Sequence, residues 1–227
     1  MVWKESKLNL IYKDLGIIPY KTAYDMQFKI QEDVQNGSDD HLLLMEHPKV
    51  ITIGLNADSS NLLVSESFLI QQGYDVFHIR RGGDVTYHGP GQIVGYLIFN
   101  LKKNHGGSIR TFVHKIEQTL IDVLTEAYGI TAMRDEINAG VFIGLNKIAA
   151  IGLSVNKGVT MHGFALNVNT NLGDYAPIVP CGLKTRSVTS VEKELGHQVD
   201  LEQLKLKLNV KIRNTFEFNN KKGEIEI

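Results

Sequence analysis

The hydrophobic and polar positions of this chain predict helices and strands in mixed order. Apolar residues at helical spacing predict long helices at 20–35, 108–128 and 200–216, and shorter helices follow at 65–72 and from 189. Alternating or continuous apolar runs predict strands, which fall at 8–12, 42–46, 50–53, 75–79, 93–101, 140–143, 147–155 and 161–168. Because these elements do not follow a strict βαβ alternation, the pattern favours an α+β or mixed α/β domain.

Length and charge indicate one globular domain over residues 1–227, with a charged tail from about residue 217. The chain has 43% hydrophobic and 22% charged residues, which is ordinary for such a domain. A formal net charge of -1 provides no global attraction to nucleic acid or to a membrane. No apolar run approaches the roughly 20 residues of a membrane helix, and the N-terminus lacks signal-peptide character. We therefore expect a cytoplasmic protein without nucleic-acid or membrane partners.

A glycine-rich stretch at 80–92 separates two predicted strands and contains four glycines, two arginines, an aspartate and a histidine. Glycine allows the backbone to approach a ligand closely, and the arginines could hold an anion. An equally weighted alternative is a glycine-rich turn in which Arg81 and Asp84 pair structurally. The stretch matches neither a phosphate-binding loop nor a dinucleotide fingerprint.

Two further segments place a polar residue among apolar or small ones. Lys147 follows a tight turn, and the small residues Ala149, Ala150 and Gly152 after it leave room for a neighbour such as an acyl chain. His162 lies in an otherwise apolar strand. Taken alone, such a lysine is more often solvated, and such a histidine is more often a satisfied core residue.

Cys181 is the single cysteine of the chain, so it cannot form an internal disulfide. It lies between a proline and a glycine in an irregular segment, where functional residues are common. Most free cysteines are nevertheless buried and inert, and composition slightly favours that alternative. A metal site built from Cys181, His88, His162 and Asp84 is disfavoured because no pair has close ligand spacing, and we expect no metal or cofactor.

In their order along the chain, RGGDVTYHGPGQ, KIAAIG, HGFALNV and PCG resemble the octanoyltransferases of lipoic acid assembly, also called lipoyl(octanoyl) transferases. The resemblance extends from about residue 42 to 191. It implies the fold of the biotin and lipoate protein ligases, a mixed sheet with helices packed around it. It also implies transfer of octanoyl from octanoyl-acyl carrier protein to a lysine of lipoyl domains, in 2-oxoacid dehydrogenase E2 subunits or the glycine cleavage H protein.

The same resemblance implies that Cys181 is the acyl-thioester nucleophile and that Lys147 lowers its pKa. On chemical grounds, His162 is an accessory candidate, and either His88 or His162 could share the proton transfer or only orient the site. The stretches that match the substrate pocket are Arg81, Gly82, Gly83, Asp84, Val85, Thr86, Tyr87, His88, Ala150, Ile151, Gly152, Gly163, Phe164 and Ala165. A free thiol has a pKa of about 8.5, so only about 3% is thiolate at neutral pH and a nearby ammonium would raise that fraction.

Two other functions stay open on the sequence. An ATP-dependent lipoate-protein ligase of related fold would need no catalytic cysteine, and a non-catalytic acyl-binding protein would bind without turnover. An acidic carrier protein would need a local basic patch, for which the candidates are Lys102, Lys103, Lys184 and Arg186. We expect a monomer.

Overall fold

The computed structural model describes residues 8–55, 57–135, 138–179 and 186–219. Within these ranges it contains ten strands: β1 (Leu10–Ile17), β2 (Asp40–Glu46), β3 (Val50–Ile53), β4 (Asp75–His78), β5 (Val85–His88), β6 (Gln92–Ile98), β7 (Met133–Arg134), β8 (Gly140–Ile143), β9 (Asn146–Asn156) and β10 (Val159–Asn167). The α-helices are α1 (Tyr20–Gln35), α2 (Glu66–Gln71), α3 (Leu101–Asn104), α4 (Ile109–Tyr128), α5 (Val191–Leu195) and α6 (Leu201–Thr215). None of the helices in this part of the chain is long and apolar enough to cross a membrane.

The strands form two sheets. Seven strands make the larger sheet in the order β1-β2-β6-β10-β9-β8-β7, in which β1 and β2 are parallel and the other neighbours antiparallel. The smaller sheet has the order β4-β3-β5, and β3 pairs in parallel with β4 and antiparallel with β5. This confirms the mixed sheet with flanking helices that the resemblance implies.

Helices cover both faces of the larger sheet because alternate residues of its strands point to opposite sides. On one face, the apolar residues Ala23, Ile30 and Val34 of α1 pack in a cluster with Leu43 of β2 and Ala165 of β10. On the other face, α4 and α6 supply a larger cluster that includes their residues Phe112, Ile116, Leu120, Leu204 and Leu208. The sheet is therefore buried on both sides at its centre.

Local caps explain why the long predicted helices appear with nearly the predicted bounds. The Ser108 side chain accepts a hydrogen bond from the Thr111 amide at the start of α4, and Gly129 ends that helix in the left-handed conformation at φ 67°. Asp200 caps α6 in the same way as Ser108 caps α4. The predicted helix at 20–35 coincides with α1.

Three local predictions were wrong. Strand β5 forms inside the glycine-rich stretch, where we predicted no strand, because it pairs with the distant β3. The strand predicted at 93–101 ends at Ile98, since the Asn100 side chain caps the short helix α3. The short helix predicted from residue 189 begins at Val191, because the Ser190 side chain caps α5 by accepting from the Lys193 amide.

Candidate active site

A cavity of about 440 Å³ lies where the smaller sheet meets the larger one. Its walls come from the glycine-rich stretch and β5 on one side and from β6, β9, β10 and the start of α4 on the other. The Gly82 amide donates to the Leu153 carbonyl over 3.1 Å and holds the glycine-rich stretch against β9. Three of the four sequence segments thus meet at one cavity.

Most of the residues predicted for the site line this cavity: Arg81, Gly82, Gly83, Asp84, Thr86, His88, Lys147, Ala150, Ile151, Gly152, His162, Gly163, Phe164 and Ala165. Val85 and Tyr87 do not line it, contrary to expectation. They alternate with Thr86 and His88 along β5 and therefore point to the opposite face, into the core of the smaller sheet. There the Tyr87 hydroxyl donates to Asp174 Oδ2 at 3.0 Å.

Close approach of neighbouring atoms requires glycine at one lining position and leaves little room for a side chain at a second. A Cβ added at Gly163 would overlap the carbonyl oxygen of Gly95 on the neighbouring strand. A Cβ at Gly152 would lie 3.3 Å from both the Arg81 side chain and the Gly82 carbonyl oxygen. The first contact keeps β6 and β10 close together, and the second lets the glycine-rich stretch lie directly on β9.

Arg81 is buried and shapes the glycine-rich stretch from inside. Its guanidinium donates to the Gly82 carbonyl at 3.0 Å, to Thr52 Oγ1 at 3.0 Å and to the Asp84 carbonyl at 2.8 Å. The Asp84 carboxylate accepts instead from the Asn61 side chain and from the Val85 amide. The two residues are therefore linked, as the structural alternative expected, but through the Asp84 backbone.

Two histidines of the cavity are held neutral by their surroundings. Burial lowers the pKa of His88 to about 3, with further lowering from His47 and Arg81. Burial and the positive charge of Arg81 lower the pKa of His162 to about 3. His88 Nδ1 lies 2.8 Å from Gln92 Oε1, and His162 has an unusual positive φ of 64°. At neutral pH both rings are therefore uncharged and have no positive charge to stabilise a thiolate.

Two buried polar atoms on the cavity wall have no hydrogen-bond partner among the described residues. They are the Tyr20 hydroxyl and His162 Nε2. A buried polar group without a partner costs about 1–3 kcal/mol, so a bound molecule or water would stabilise this side of the cavity.

Lys147 is buried in the wall rather than solvated, with 4% of the residue exposed. Its Nζ lies 3.4 Å from the Ala139 carbonyl oxygen and 5.1 Å from the centre of the Phe142 ring. Its backbone is paired on both sides, because its amide donates to the Ser187 carbonyl at 2.9 Å and its carbonyl accepts from the Thr189 amide at 3.0 Å. An ammonium group therefore faces a cavity whose walls are largely apolar.

The remaining predicted residues are Cys181 and the four candidates for a basic patch. Cys181 and Lys184 lie outside the described residues. Lys102 and Lys103 are exposed on α3 and do not line the cavity. Arg186 forms an ion pair with Asp135 at 2.5 Å.

Several lining residues were not predicted from the sequence. Tyr20 of α1 and Tyr96 of β6 contribute aromatic rings, and Ile109 and Val113 contribute one face of the first turns of α4. Their one-turn spacing was visible in the sequence, but it predicted only that this face of α4 is apolar. Among the described residues, no group of three or more His, Cys, Asp or Glu side chains could hold a metal ion.

The architecture places the chain in a known structural class. It is similar to the crystal structure of lipoate-protein ligase A bound with ATP, with a TM-score of 0.74 at 18% identity, covering 94% of this chain and 87% of that one. A bipartite lipoate protein ligase from Thermoplasma acidophilum gives a TM-score of 0.71 at 17% identity, covering 94% and 85%. These likenesses show that the chain has the lipoate protein ligase fold.

The sequence comparison is more specific. Residues 19–213 match the model of the lipoyl protein ligase A/B catalytic domain, a wider span than the resemblance at 42–191. An octanoyltransferase of Alkaliphilus metalliredigens is 52% identical over 194 residues, covering 85% of this chain and 88% of that protein. The chain belongs to the lipoyl protein ligase A/B catalytic domain family, and it is an acyltransferase.

Proposed function

We propose that this acyltransferase moves an octanoyl group from octanoyl-acyl carrier protein to a specific lysine of a lipoyl domain, and carries it in between as a thioester on Cys181. The observation that carries the proposal is the buried Lys147 ammonium at a largely apolar cavity of about 440 Å³. The name of the Alkaliphilus relative supports octanoyl as the acyl group. Lipoyl domains of 2-oxoacid dehydrogenase E2 subunits and the glycine cleavage H protein are the acceptors we expect.

Chain connections support Cys181 as the partner of Lys147. Two residues before Cys181, the Val179 amide donates to the Asn61 carbonyl at 2.8 Å, and the Asn61 side chain in turn donates to the cavity-lining Asp84. Six residues after Cys181, the Ser187 carbonyl accepts from the Lys147 amide. The described chain on both sides of Cys181 is therefore attached to residues of the cavity.

The chemistry suits this pair of residues. An ammonium about 4 Å from a thiol favours the thiolate by roughly 1–4 kcal/mol, depending on the local dielectric. The thiolate attacks the carbonyl carbon of the donor thioester and a new S–C bond forms. The S–C bond to the carrier breaks, and the carrier leaves as a thiol after taking a proton from the Lys147 ammonium, which becomes a neutral amine. The wall residues Ile151, Val113 and Phe164 offer an apolar surface to the acyl chain.

In the second step the neutral amine of the acceptor lysine attacks the carbonyl carbon of the enzyme thioester. An amide N–C bond forms, the S–C bond breaks, and Cys181 leaves as a thiolate. The proton that the amine loses goes to the neutral Lys147 amine, which restores the ammonium beside the Cys181 thiolate. No ATP is required because a thioester already stores the energy of amide formation.

Intact mass spectrometry after mixing with octanoyl-acyl carrier protein tests the proposal. The expected result is one octanoyl adduct that maps to Cys181 and is absent in Cys181→Ser. A wild-type protein that transfers octanoyl without ever carrying an adduct would refute the covalent route. Activity that requires ATP and free octanoate, and that survives Cys181→Ala, would identify the protein as a ligase instead.

A further inference from the structure

A buried amide pair connects three of the four sequence segments. Gln92 ends the first segment, and Asn167 belongs to the third; they are 0% and 3% exposed, and neither lines the cavity. They are opposite each other on β6 and β10, where Gln92 Nε2 donates to Asn167 Oδ1 at 2.9 Å. Buried amides are costly unless their groups are paired, so their partners show what the pair holds in place.

Gln92 reaches two elements besides β10. Its Oε1 lies 2.8 Å from His88 Nδ1, and since an amide oxygen only accepts, it selects the tautomer in which Nδ1 carries the proton. His88 Nε2 is then an acceptor. Gln92 Nε2 also lies 2.9 Å from the Tyr175 hydroxyl, which itself donates to Asn167 Oδ1 at 3.0 Å. Tyr175 precedes Cys181 by six residues, so the pair holds the chain upstream of the cysteine.

Asn167 holds the chain downstream of the cysteine. Its Nδ2 donates to the Thr189 carbonyl at 3.0 Å. The Thr189 amide in turn donates to the Lys147 carbonyl at 3.0 Å, and the Lys147 amide donates to Ser187. One side chain on β10 thus fixes the short segment that brackets the Lys147 backbone.

We infer that Gln92 and Asn167 form a positioning unit that sets Lys147 relative to the two chain segments that flank Cys181. The inference rests on the proposed function, because it assigns the unit the task of bringing the Lys147 ammonium to the Cys181 thiol. An apolar pair at these positions would make none of these hydrogen bonds to the Thr189 carbonyl and the Tyr175 hydroxyl. The amides therefore specify geometry in addition to packing.

The single cysteine of the chain allows a direct test, because every alkylation by iodoacetamide then reports Cys181. The rate of alkylation is measured against pH in the wild type, Asn167→Ala, Tyr175→Phe and Asn209→Ala. Asn209 is the matched control, since it is a buried asparagine of α6 whose Oδ1 accepts from Arg213 at 3.1 Å. Thermal melting of each variant reports whether it is folded.

The expected wild-type midpoint of alkylation lies well below the free-thiol value of about 8.5. Asn167→Ala should move the midpoint upward by about one pH unit, a tenfold loss of thiolate at neutral pH. Tyr175→Phe removes only one hydroxyl, so it is the variant to rely on if Asn167→Ala does not fold, and a smaller upward shift is expected. Asn209→Ala should lower the melting temperature without moving the midpoint.

Two outcomes separate the inference from the proposed function. A wild-type midpoint at about 8.5 would overturn the assignment of Lys147 as the group that activates Cys181. A low wild-type midpoint that is unchanged in both folded variants, or that moves equally in Asn209→Ala, would overturn the positioning role and leave the proposed function standing.

Discussion

Three neutral buried histidines should make this fold sensitive to mild acid. His47, His88 and His162 have folded-state pKa values lowered mainly by burial, to about 4, about 3 and about 3. In the unfolded chain each should titrate near 6.5. Between these values the unfolded state binds more protons than the folded state, so stability is full above about pH 6.5 and is lost as the pH falls toward the folded values.

The magnitude follows from the pKa differences. When the pH falls from 7.5 to 5.5, protonation of a histidine with a pKa near 6.5 stabilises the unfolded state by about 1.3 kcal/mol. The folded state gains no such stabilisation, because there the histidine stays neutral. Three such residues amount to about 4 kcal/mol, a large part of the 5–15 kcal/mol that typically stabilises a domain. His47 is the best single probe because it lies outside the cavity wall, between the Ile18 carbonyl at 2.7 Å and the Tyr96 hydroxyl at 2.9 Å.

Urea unfolding at pH 7.5, 6.5 and 5.5 measures the effect in the wild type, His47→Gln and His197→Gln. His47→Gln will lower the free energy of unfolding at every pH. Between pH 7.5 and 5.5, however, the free energy of unfolding of this variant should fall by about 1.3 kcal/mol less than that of the wild type. His197 is exposed, so His197→Gln should lose as much as the wild type. Equal losses in the wild type and His47→Gln would show that His47 titrates alike in both states and would refute the reasoning.

Three further variants test the site and its packing. Lys147→Met keeps the length of the side chain and removes its charge, so octanoyl transfer should fall by about 100-fold if the ammonium supplies roughly 3 kcal/mol, and an unchanged kcat/KM would contradict its role. Gly163→Ala should lower the free energy of unfolding by about 1–3 kcal/mol, since its methyl group overlaps the adjacent strand; an unchanged urea midpoint would contradict that geometry. Tyr20→Phe removes an unpartnered hydroxyl and should not lower the melting temperature. Tyr87→Phe breaks a buried hydrogen bond and should lower the free energy of unfolding by about 1 kcal/mol. An equal loss of stability in the two variants would contradict this reasoning.

The elements that the sequence predicts well are those whose signals are local. Helix α4 carries its apolar stripe, its Ser108 cap and its terminal glycine within one continuous stretch, so its bounds could be predicted closely. Strand β5 has no comparable local signal. It lies between glycines, and the partner that makes it a strand is β3, more than 30 residues earlier in the chain. Long-range pairing of this kind leaves no pattern inside the segment itself.

The site divides in the same way. Lys147, Arg81 and His162 could be found because each belongs to a segment with an unusual local composition. Tyr20 and Tyr96 could not, since they come from α1 and β6 and reach the cavity only through the order of strands in the larger sheet. Val85 and Tyr87 do not line the cavity for a simpler reason. No strand was predicted in this segment, and only a strand makes neighbouring side chains alternate between the cavity and the core.

The charges around the cavity favour one assignment of roles over the others. Arg81 donates to Thr52 and to the carbonyls of its own segment, so its guanidinium serves the shape of the wall. Burial lowers the pKa of His88 and His162 to about 3, so at neutral pH both are uncharged and do not stabilise an anion. Lys147 combines an ammonium group, an apolar surround and a backbone held by Ser187 and Thr189. Among the described lining residues, it is therefore the side chain best suited to hold a thiolate at this cavity, and this is the physical reason to look for the acyl thioester on Cys181.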